Sequence, residues 1–309
     1  MWRNTGKPEK TRFVSLQNSY HGETLGALSV TDVAIFKDAY GALIRENATV
    51  LSPDSRNAEK GESAEDFALR GTAQLEAYLQ QHHAHIAAFI IEPLVQGAAG
   101  MAMYHPAYLT QARELCDQYQ VHLIADEIAV GMGRTGTLFA CEQAHISPDF
   151  LLLSKGITGG YLPLSVVMTT DVIYQAFYAD DVTRGFLHSH SYTGNPLACR
   201  AALATLDIFA TDDVLNVNRS KAAYLNRVAV PLREHPKVKH FRNTGMIWAF
   251  EVETPHADFA QRCFSLALER ELLLRPMGNT VYFMPPYVIS ENEIDFLIAQ
   301  TLQIIDLLS

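Results

Sequence analysis

Val121-His122-Leu123-Ile124-Ala125-Asp126-Glu127 is the stretch that decides the fold: an apolar run that ends in two carboxylates. A second apolar run, Phe150-Leu151-Leu152-Leu153, ends in Ser154-Lys155-Gly156. The interval between Asp126 and Lys155 has the length of one helical crossover between parallel strands. Because ligands of open parallel sheets bind beyond the carboxyl ends of the strands, the two runs predict an acid and an amine at one edge of a sheet.

More strand-like runs flank this pair and alternate with helical stretches. The pattern predicts an α/β fold with a mainly parallel sheet flanked by helices. The predicted strands are Arg12–Leu16, Ala87–Glu92, His122–Asp126, Phe150–Ser154 and Leu164–Thr169. Pro106–Tyr119 has the apolar spacing of a helix, and the polar residues 54–63 predict an exposed loop.

The character of the sequence changes after about Ala210, where a smaller C-terminal α/β domain is expected. The predicted domains are therefore residues 1–210 and residues 211–309. In the second domain, the predicted helices are Val214–Leu232, Asp258–Arg270 and Glu291–Leu308, and the predicted strands are Val238–Arg242, Met246–Glu251, Leu272–Arg275 and Thr280–Met284.

Composition and charge argue against several classes of protein. A formal net charge of -10 disfavours a nucleic-acid surface, which needs clustered basic residues. No apolar run reaches the roughly 20 residues of a membrane helix, and the first ten residues have no apolar signal core. The four cysteines lie far apart and form no Cys-x-x-Cys pair, so we expect reduced thiols in a cytoplasmic protein.

Three side chains expected at the sheet edge suit the chemistry of pyridoxal 5'-phosphate (PLP). Asp126 would pair with a protonated pyridine nitrogen, and Lys155 would form a Schiff base with the cofactor and later move a proton. Tyr20, which follows a strand, would offer a flat face to the ring. Each residue alone also has a plainer explanation, since a strand-end Asp is commonly a turn or cap residue and a loop Lys is nearly always solvated.

Ordered motifs along essentially the whole chain resemble those of the class III aminotransferases. They are Tyr20-His21-Gly22-Glu23-Thr24, Ile91-Glu92-Pro93, Leu123-Ile124-Ala125-Asp126-Glu127, Gly131-Met132-Gly133-Arg134-Thr135-Gly136, Ser154-Lys155-Gly156 and Thr193-Gly194-Asn195-Pro196. The resemblance implies a fold-type I PLP enzyme that works as a homodimer with shared active sites.

The same resemblance implies roles for individual residues. The catalytic residues would be Lys155, Asp126 and Tyr20. The cofactor would be bound by Tyr20, His21, Gly22, Asp126, Lys155, His190 and Ser191, and the segment around the last two would reach its phosphate across the dimer interface. The substrates would be bound by Tyr20, Glu23, Arg134, Ser189, Arg275 and Tyr282, and Arg275 would clamp a carboxylate through its planar fork.

Within the family, the chain is most similar to the branch that serves biotin synthesis. The discriminating stretches are Gly100–Pro106, Leu274–Gly278 and Val281–Tyr287. They imply transfer of an amino group from S-adenosylmethionine to 8-amino-7-oxononanoate, which gives 7,8-diaminononanoate. Two positions depart from the branch: Ser191 stands where many relatives carry Thr, and Glu23 where the closest relatives tend to carry Asp.

Two other functions stay open at this stage. One is a class III enzyme for ω-amino acids such as ornithine or 4-aminobutyrate. The other is an inactive fragment, because the family's N-terminal portion, with its Gly-Ser turn for the phosphate, has no counterpart before Tyr20. An ATPase is disfavoured because residues 131–136 contain no Lys, and metal is not expected at His82, His83 and His85, which have no Cys or carboxylate partners in sequence.

Overall fold

The computed structural model describes residues 1–308, which form two compact units. The first comprises Met1–Met132 and Phe139–Ile208, and the second comprises Gly133–Leu138 and the chain from Phe209 onward. The predicted division into domains 1–210 and 211–309 stays a prediction.

A six-stranded sheet lies at the centre of the first unit. Its strands are β1 (Arg12–Leu16), β2 (Ala48–Val50), β3 (Ile86–Ile91), β6 (His122–Asp126), β7 (Phe150–Leu153) and β8 (Val166–Thr169), and β4 (Val95–Gln96) pairs with β5 (Ala102–Met103) in a separate hairpin. The order across the large sheet is β2-β1-β3-β6-β7-β8, and only the β7–β8 pair is antiparallel. This confirms the predicted α/β fold with a mainly parallel sheet.

Six α-helices occur along this part of the chain, and some of them have a side-chain cap or a buried apolar face. They are α1 (Leu25–Leu28), α2 (Ala34–Lys37), α3 (Ala64–His82), α4 (Ala107–Gln118), α5 (Asp171–Gln175) and α6 (Pro196–Thr211). The Ser63 side chain caps α3 by accepting the Asp66 N–H, and the acidic first turn suits the positive end of a helix. In α4 the predicted apolar face is buried, including Tyr108 and Ala112.

Most predicted strands of the first unit occur within two residues of their expected bounds. The strand β2 was not predicted, because only Val50 of its three residues is buried and the run is too short to show a pattern. The prediction of an exposed loop at 54–63 was wrong at its start. Asp54 is buried and bonds the Arg56 guanidinium through an Oδ2–Nη2 contact of 2.6 Å.

The second unit contains an antiparallel sheet with strand order β11-β10-β9. Its elements are β9 (Val238–Thr244), β10 (Ile247–Val252), β11 (Thr280–Phe283), α7 (Val214–Val228), α8 (Val230–Arg233), α9 (Phe259–Leu268) and α10 (Glu291–Leu308). The core is built on large side chains of β10, including Trp248 and Phe250, which are fully buried.

Two predictions in this unit were wrong. The helix expected at Val214–Leu232 is interrupted at Ala229, directly before Val230-Pro231, since proline cannot continue a helix through its interior. The strand expected at Leu272–Arg275 is absent, because the leucine run there pairs with no other strand. Among residues 1–308, no helix is both long and apolar enough to cross a membrane.

Candidate active site

The carboxyl ends of β1, β3, β6 and β7 place polar groups along one edge of the parallel sheet. Beyond β1 lie Tyr20 and His21, beyond β3 lies Glu92, Asp126 ends β6, and Lys155 lies two residues beyond β7. The backbone N–H of Glu127 donates to the carbonyl of Leu152 (3.0 Å), which fixes the ends of β6 and β7 side by side. The acid and the amine therefore lie on neighbouring strand ends, as predicted.

His21 and Asp126 form a buried pair, although 105 positions separate them in the chain. His21 Nδ1 lies 2.8 Å from Asp126 Oδ2, and the side chains are only 1% and 6% exposed. The other carboxylate oxygen, Oδ1, accepts the backbone N–H of Ile128 at 3.2 Å. The His21 backbone N–H donates to Thr31 Oγ1 (3.0 Å), so both the imidazole and the carboxylate are fixed in orientation.

Glu92 lies between these groups in strand order and braces the loop that carries Tyr20. Its Oε2 accepts the Tyr20 N–H and its Oε1 accepts the Gly97 N–H, each at 3.1 Å. Burial raises the pKa of Glu92 to about 7, and the nearby His21 and the two N–H donors oppose that rise. Glu92 belongs to one of the family motifs but is not among the predicted site residues.

Tyr20 presents a half-buried ring next to the buried pair. Its ring centroid lies 4.8 Å from that of Phe36, and its hydroxyl donates to Glu23 Oε1 at 2.9 Å. Burial and this hydrogen bond raise the pKa of Tyr20, so the phenol stays protonated at neutral pH. Glu23 is exposed and Gly22 has a φ of +115°, which is a conformation suited to glycine.

Lys155 is exposed and lies in a strained turn after β7. Its φ of +46° falls in the left-handed region, which residues other than glycine seldom adopt. The next residue must be glycine, because a Cβ on Gly156 would lie 2.9 Å from the Met132 Cβ. The turn therefore holds the Lys155 backbone close to the chain that follows β6.

Glu127 follows Asp126 directly but has a structural role. Its Oε2 accepts the N–H of Ala140 at 2.7 Å and its Oε1 accepts the N–H of Cys141 at 2.8 Å. It is 1% exposed, and burial raises its pKa against the effect of these two hydrogen bonds. Of the two adjacent carboxylates, only Asp126 pairs with the imidazole of His21.

The segment Ser189-His190-Ser191 is exposed and irregular, and only local contacts shape it. The His190 N–H donates to Thr193 Oγ1, and the His190 Nδ1 accepts the Tyr192 N–H, each at 3.1 Å. No contact in residues 1–308 joins Ser189, His190 or Ser191 to His21 or Asp126. The structure thus places Tyr20, His21, Asp126 and Lys155 along one edge of the sheet. The segment 189–191 makes no such contact with His21 or Asp126 within residues 1–308.

The other predicted site residues belong to the second unit. Arg134 lies in Gly133–Leu138, where its Nη1 donates to the Pro285 carbonyl at 2.7 Å. Tyr282 is half-buried on β11, and Arg275 is exposed in the irregular segment before it. Their proposed proximity to the sheet edge of the first unit stays a prediction.

A family model described as aminotransferase class III matches residues 1–305. The chain belongs to the class III aminotransferases. The relatives of this class III chain include the adenosylmethionine-8-amino-7-oxononanoate aminotransferases of Helicobacter pylori and Geobacter sulfurreducens. They are 46% and 39% identical to it over 303 and 308 residues. Each alignment covers 96% of this chain, and 67% and 68% of the respective relative.

Solved structures of class III enzymes match the fold closely. The adenosylmethionine-8-amino-7-oxononanoate aminotransferase of Methanocaldococcus jannaschii superposes with a TM-score of 0.90 at 30% identity, over 100% of this chain and 70% of that one. An (S)-enantioselective ω-transaminase of Thermomicrobium roseum matches with a TM-score of 0.91 at 32% identity, over 99% and 70% of the two chains. The fold of a class III aminotransferase therefore does not by itself select the substrate.

Proposed function

We propose that this chain is a PLP-dependent enzyme that moves an amino group from S-adenosylmethionine to 8-amino-7-oxononanoate. The observation that carries the proposal is the 46% identity with the Helicobacter pylori enzyme named for these two compounds. Seven further relatives at 32–39% identity share that name. Sequence, rather than fold, therefore supports the choice of substrates.

The sheet edge of the first unit fits PLP in the types and burial of its groups. A protonated pyridine nitrogen pairs with a carboxylate, and the Asp126 carboxylate is held in orientation by the His21 imidazole and the Ile128 N–H. An aldehyde needs an accessible amine, and Lys155 is exposed at the end of the neighbouring strand. A flat ring needs an apolar face, which Tyr20 offers.

The chemistry that PLP supplies when bound is an aldehyde that accepts the amino group and a ring that withdraws electrons. Lys155 would hold the cofactor through Nζ and, once released, would carry a proton to and from the substrate carbon. Asp126 would keep a negative charge beside the ring nitrogen and so favour its protonated form. Tyr20 would cover one face of the ring and exclude water from it.

We assign the remaining predicted residues to the same reaction. Ser189 would line the substrate pocket, and His190 and Ser191 would bind the cofactor phosphate across the interface of a homodimer. Arg275 would bind the oxononanoate carboxylate, and its exposed guanidinium forms no ion pair within residues 1–308. We further propose a cytoplasmic location, which is consistent with four unpaired cysteines.

The test compares amino donors in the purified protein supplied with PLP. We expect 7,8-diaminononanoate to form with S-adenosylmethionine as donor, together with the visible absorbance of lysine-bound PLP. Lys155→Ala should abolish both, whereas Lys60→Ala, a matched change at an exposed loop lysine, should abolish neither. Transfer of the amino group from ornithine or 4-aminobutyrate, but not from S-adenosylmethionine, would overturn the proposed choice of substrates. A native protein without the absorbance would instead support an inactive polypeptide.

A further inference from the structure

Arg134 is a half-buried cation with no acidic partner in the described part of the second unit. Within residues 1–308 no carboxylate lies within ion-pair distance of its guanidinium, and burial lowers its pKa. Removing a guanidinium from water without a counter-charge is unfavourable, so a fold retains it where an anion is to be bound.

Three contacts within the second unit fix the position of Arg134. Its backbone carbonyl accepts the Met246 N–H at 2.9 Å, and its Nη1 donates to the Pro285 carbonyl at 2.7 Å. Its guanidinium carbon lies 4.4 Å from the centroid of the Tyr287 ring, in the arrangement of a cation–π contact. The Tyr287 carbonyl in turn accepts Lys221 Nζ at 2.5 Å, which anchors the ring's own backbone to α7.

The turn between β9 and β10 approaches the Arg134 peptide very closely. A Cβ on Gly245 would lie 2.3 Å from the Thr135 carbonyl carbon, 2.5 Å from the Gly136 nitrogen and 2.6 Å from the Arg134 oxygen. All three atoms belong to the backbone, so no flexible side chain can yield to the intrusion. Any side chain at Gly245 must therefore displace the segment that carries Arg134.

We propose that Gly245 and Tyr287 are positioning residues for Arg134: the glycine lets the β9–β10 turn seat the Arg134 backbone, and the Tyr287 ring aims the guanidinium. The proposal rests on the proposed function and on the prediction that Arg134 is one of the residues that bind the substrates; we take the group that it binds to be a carboxylate, which suits a guanidinium. Because a bidentate guanidinium contact is directional, a small displacement weakens substrate binding before it affects bond-making.

The first test is Gly245→Ala, with Gly61→Ala as its matched control. Both glycines have a left-handed φ, of +55° and +90°, but a Cβ on Gly61 would meet nothing within 4 Å. We expect Gly245→Ala to raise KM for a carboxylate substrate about tenfold with kcat little changed, since misplacement by about 1 Å is costly. Gly61→Ala should leave KM unchanged. Thermal unfolding and PLP absorbance of each variant report whether the fold is retained.

A double-mutant cycle with Arg134→Lys separates positioning from a general loss of stability. The substrate whose KM rises in Arg134→Lys should also have a raised KM in Gly245→Ala. The KM of the double variant should not exceed that of Arg134→Lys alone. Additive effects, or a KM for Gly245→Ala equal to that of Gly61→Ala, would overturn the role of Gly245.

Tyr287 provides a second route that introduces no clash and so covers the case in which Gly245→Ala does not fold. Tyr287→Leu removes the ring face and should raise the same KM, whereas Tyr287→Phe keeps the ring and should restore it. Equal KM values for Leu and Phe would overturn the role of Tyr287. If the native protein does not aminate 8-amino-7-oxononanoate at all, the proposed function fails instead, and the two failures are thereby distinguished.

Discussion

Two regions of the first unit are assigned to the same cofactor, but the chain holds them very differently. His21 and Asp126 are both buried, and each makes a hydrogen bond that fixes its orientation. Ser191 lies in an exposed turn shaped by local contacts. The comparison teaches that the fold fixes the buried pair proposed to face the pyridine ring, whereas within residues 1–308 local contacts alone shape the segment proposed to bind the phosphate.

The largest effect should come from removing the buried charge. Asp126→Asn keeps the shape of the side chain but removes the negative charge beside the ring nitrogen. We expect kcat to fall by about 10²–10³-fold, the scale for losing one pre-organised electrostatic contact at a reacting group. The measurement is the steady-state rate of diamine formation at saturating substrates. Asp117→Asn, a change at a carboxylate on the surface of α4, is the control; equal rates in the two variants would refute the assignment.

Glu92 should produce the next largest effect, seen as a change in the pH dependence of stability. Its pKa is raised from 4.5 to about 7, so the folded state holds the proton more tightly than the unfolded state. The contribution of Glu92 to the free energy of unfolding is fully present below about pH 4.5 and is lost as the pH rises through about 7. Its total is ~3 kcal/mol at most. Urea unfolding of the native protein should therefore show lower stability at pH 8 than at pH 5.

Glu92→Gln should flatten this dependence, because the amide does not titrate. At pH 5 the variant should be less stable by ~1 kcal/mol, since one of the two N–H groups that face Glu92 loses its acceptor. The exposed change Glu65→Gln is the control and should keep the native slope. A variant with the native slope would show that the pH effect arises from another group.

The sequence predicted those strands whose apolar runs end sharply in polar residues. β1 and β6 were predicted with their observed bounds, because each has three buried residues in a short, mainly apolar run. β2 has no such pattern, and Leu272–Arg275 has one without a strand partner, because strand pairing depends on distant parts of the chain. Local sequence thus predicted where strands lie but not which strands pair with one another.

The site was predictable only in part, for a related physical reason. Asp126 and Lys155 follow from strand ends that adjoin in sequence order and in space. The His21–Asp126 pair spans β3, which lies between β1 and β6, and Glu92 at the end of β3 hydrogen-bonds the Tyr20 backbone beyond β1. A signal existed, since both carboxylates follow buried strands, but the strand order that unites them is a property of the folded chain.

A smaller effect should follow from changes at His21, which test the contribution of the buried His21–Asp126 hydrogen bond. His21→Leu removes the bond to Asp126 and should lower kcat about tenfold, equivalent to ~1.4 kcal/mol. His21→Asn offers an N–H near the position of Nδ1 and should retain most of the activity. The matched pair is measured under the conditions used for Asp126→Asn. If Asn and Leu lower kcat equally, the hydrogen bond is not the cause.

The smallest effect should come from Ser191, on the exposed side of the comparison. Ser191→Ala should weaken PLP retention about fivefold, since one hydroxyl contact to an anion in a wet setting contributes only ~1 kcal/mol. Ser191→Thr keeps the hydroxyl and should match the native protein. PLP affinity is measured by titrating the visible absorbance at several protein concentrations. Because the hydroxyl is proposed to act across a dimer interface, the difference between Ala and Thr should shrink on dilution. A difference that persists in the monomer would place the contact within one chain, and no difference at any concentration would remove Ser191 from the site.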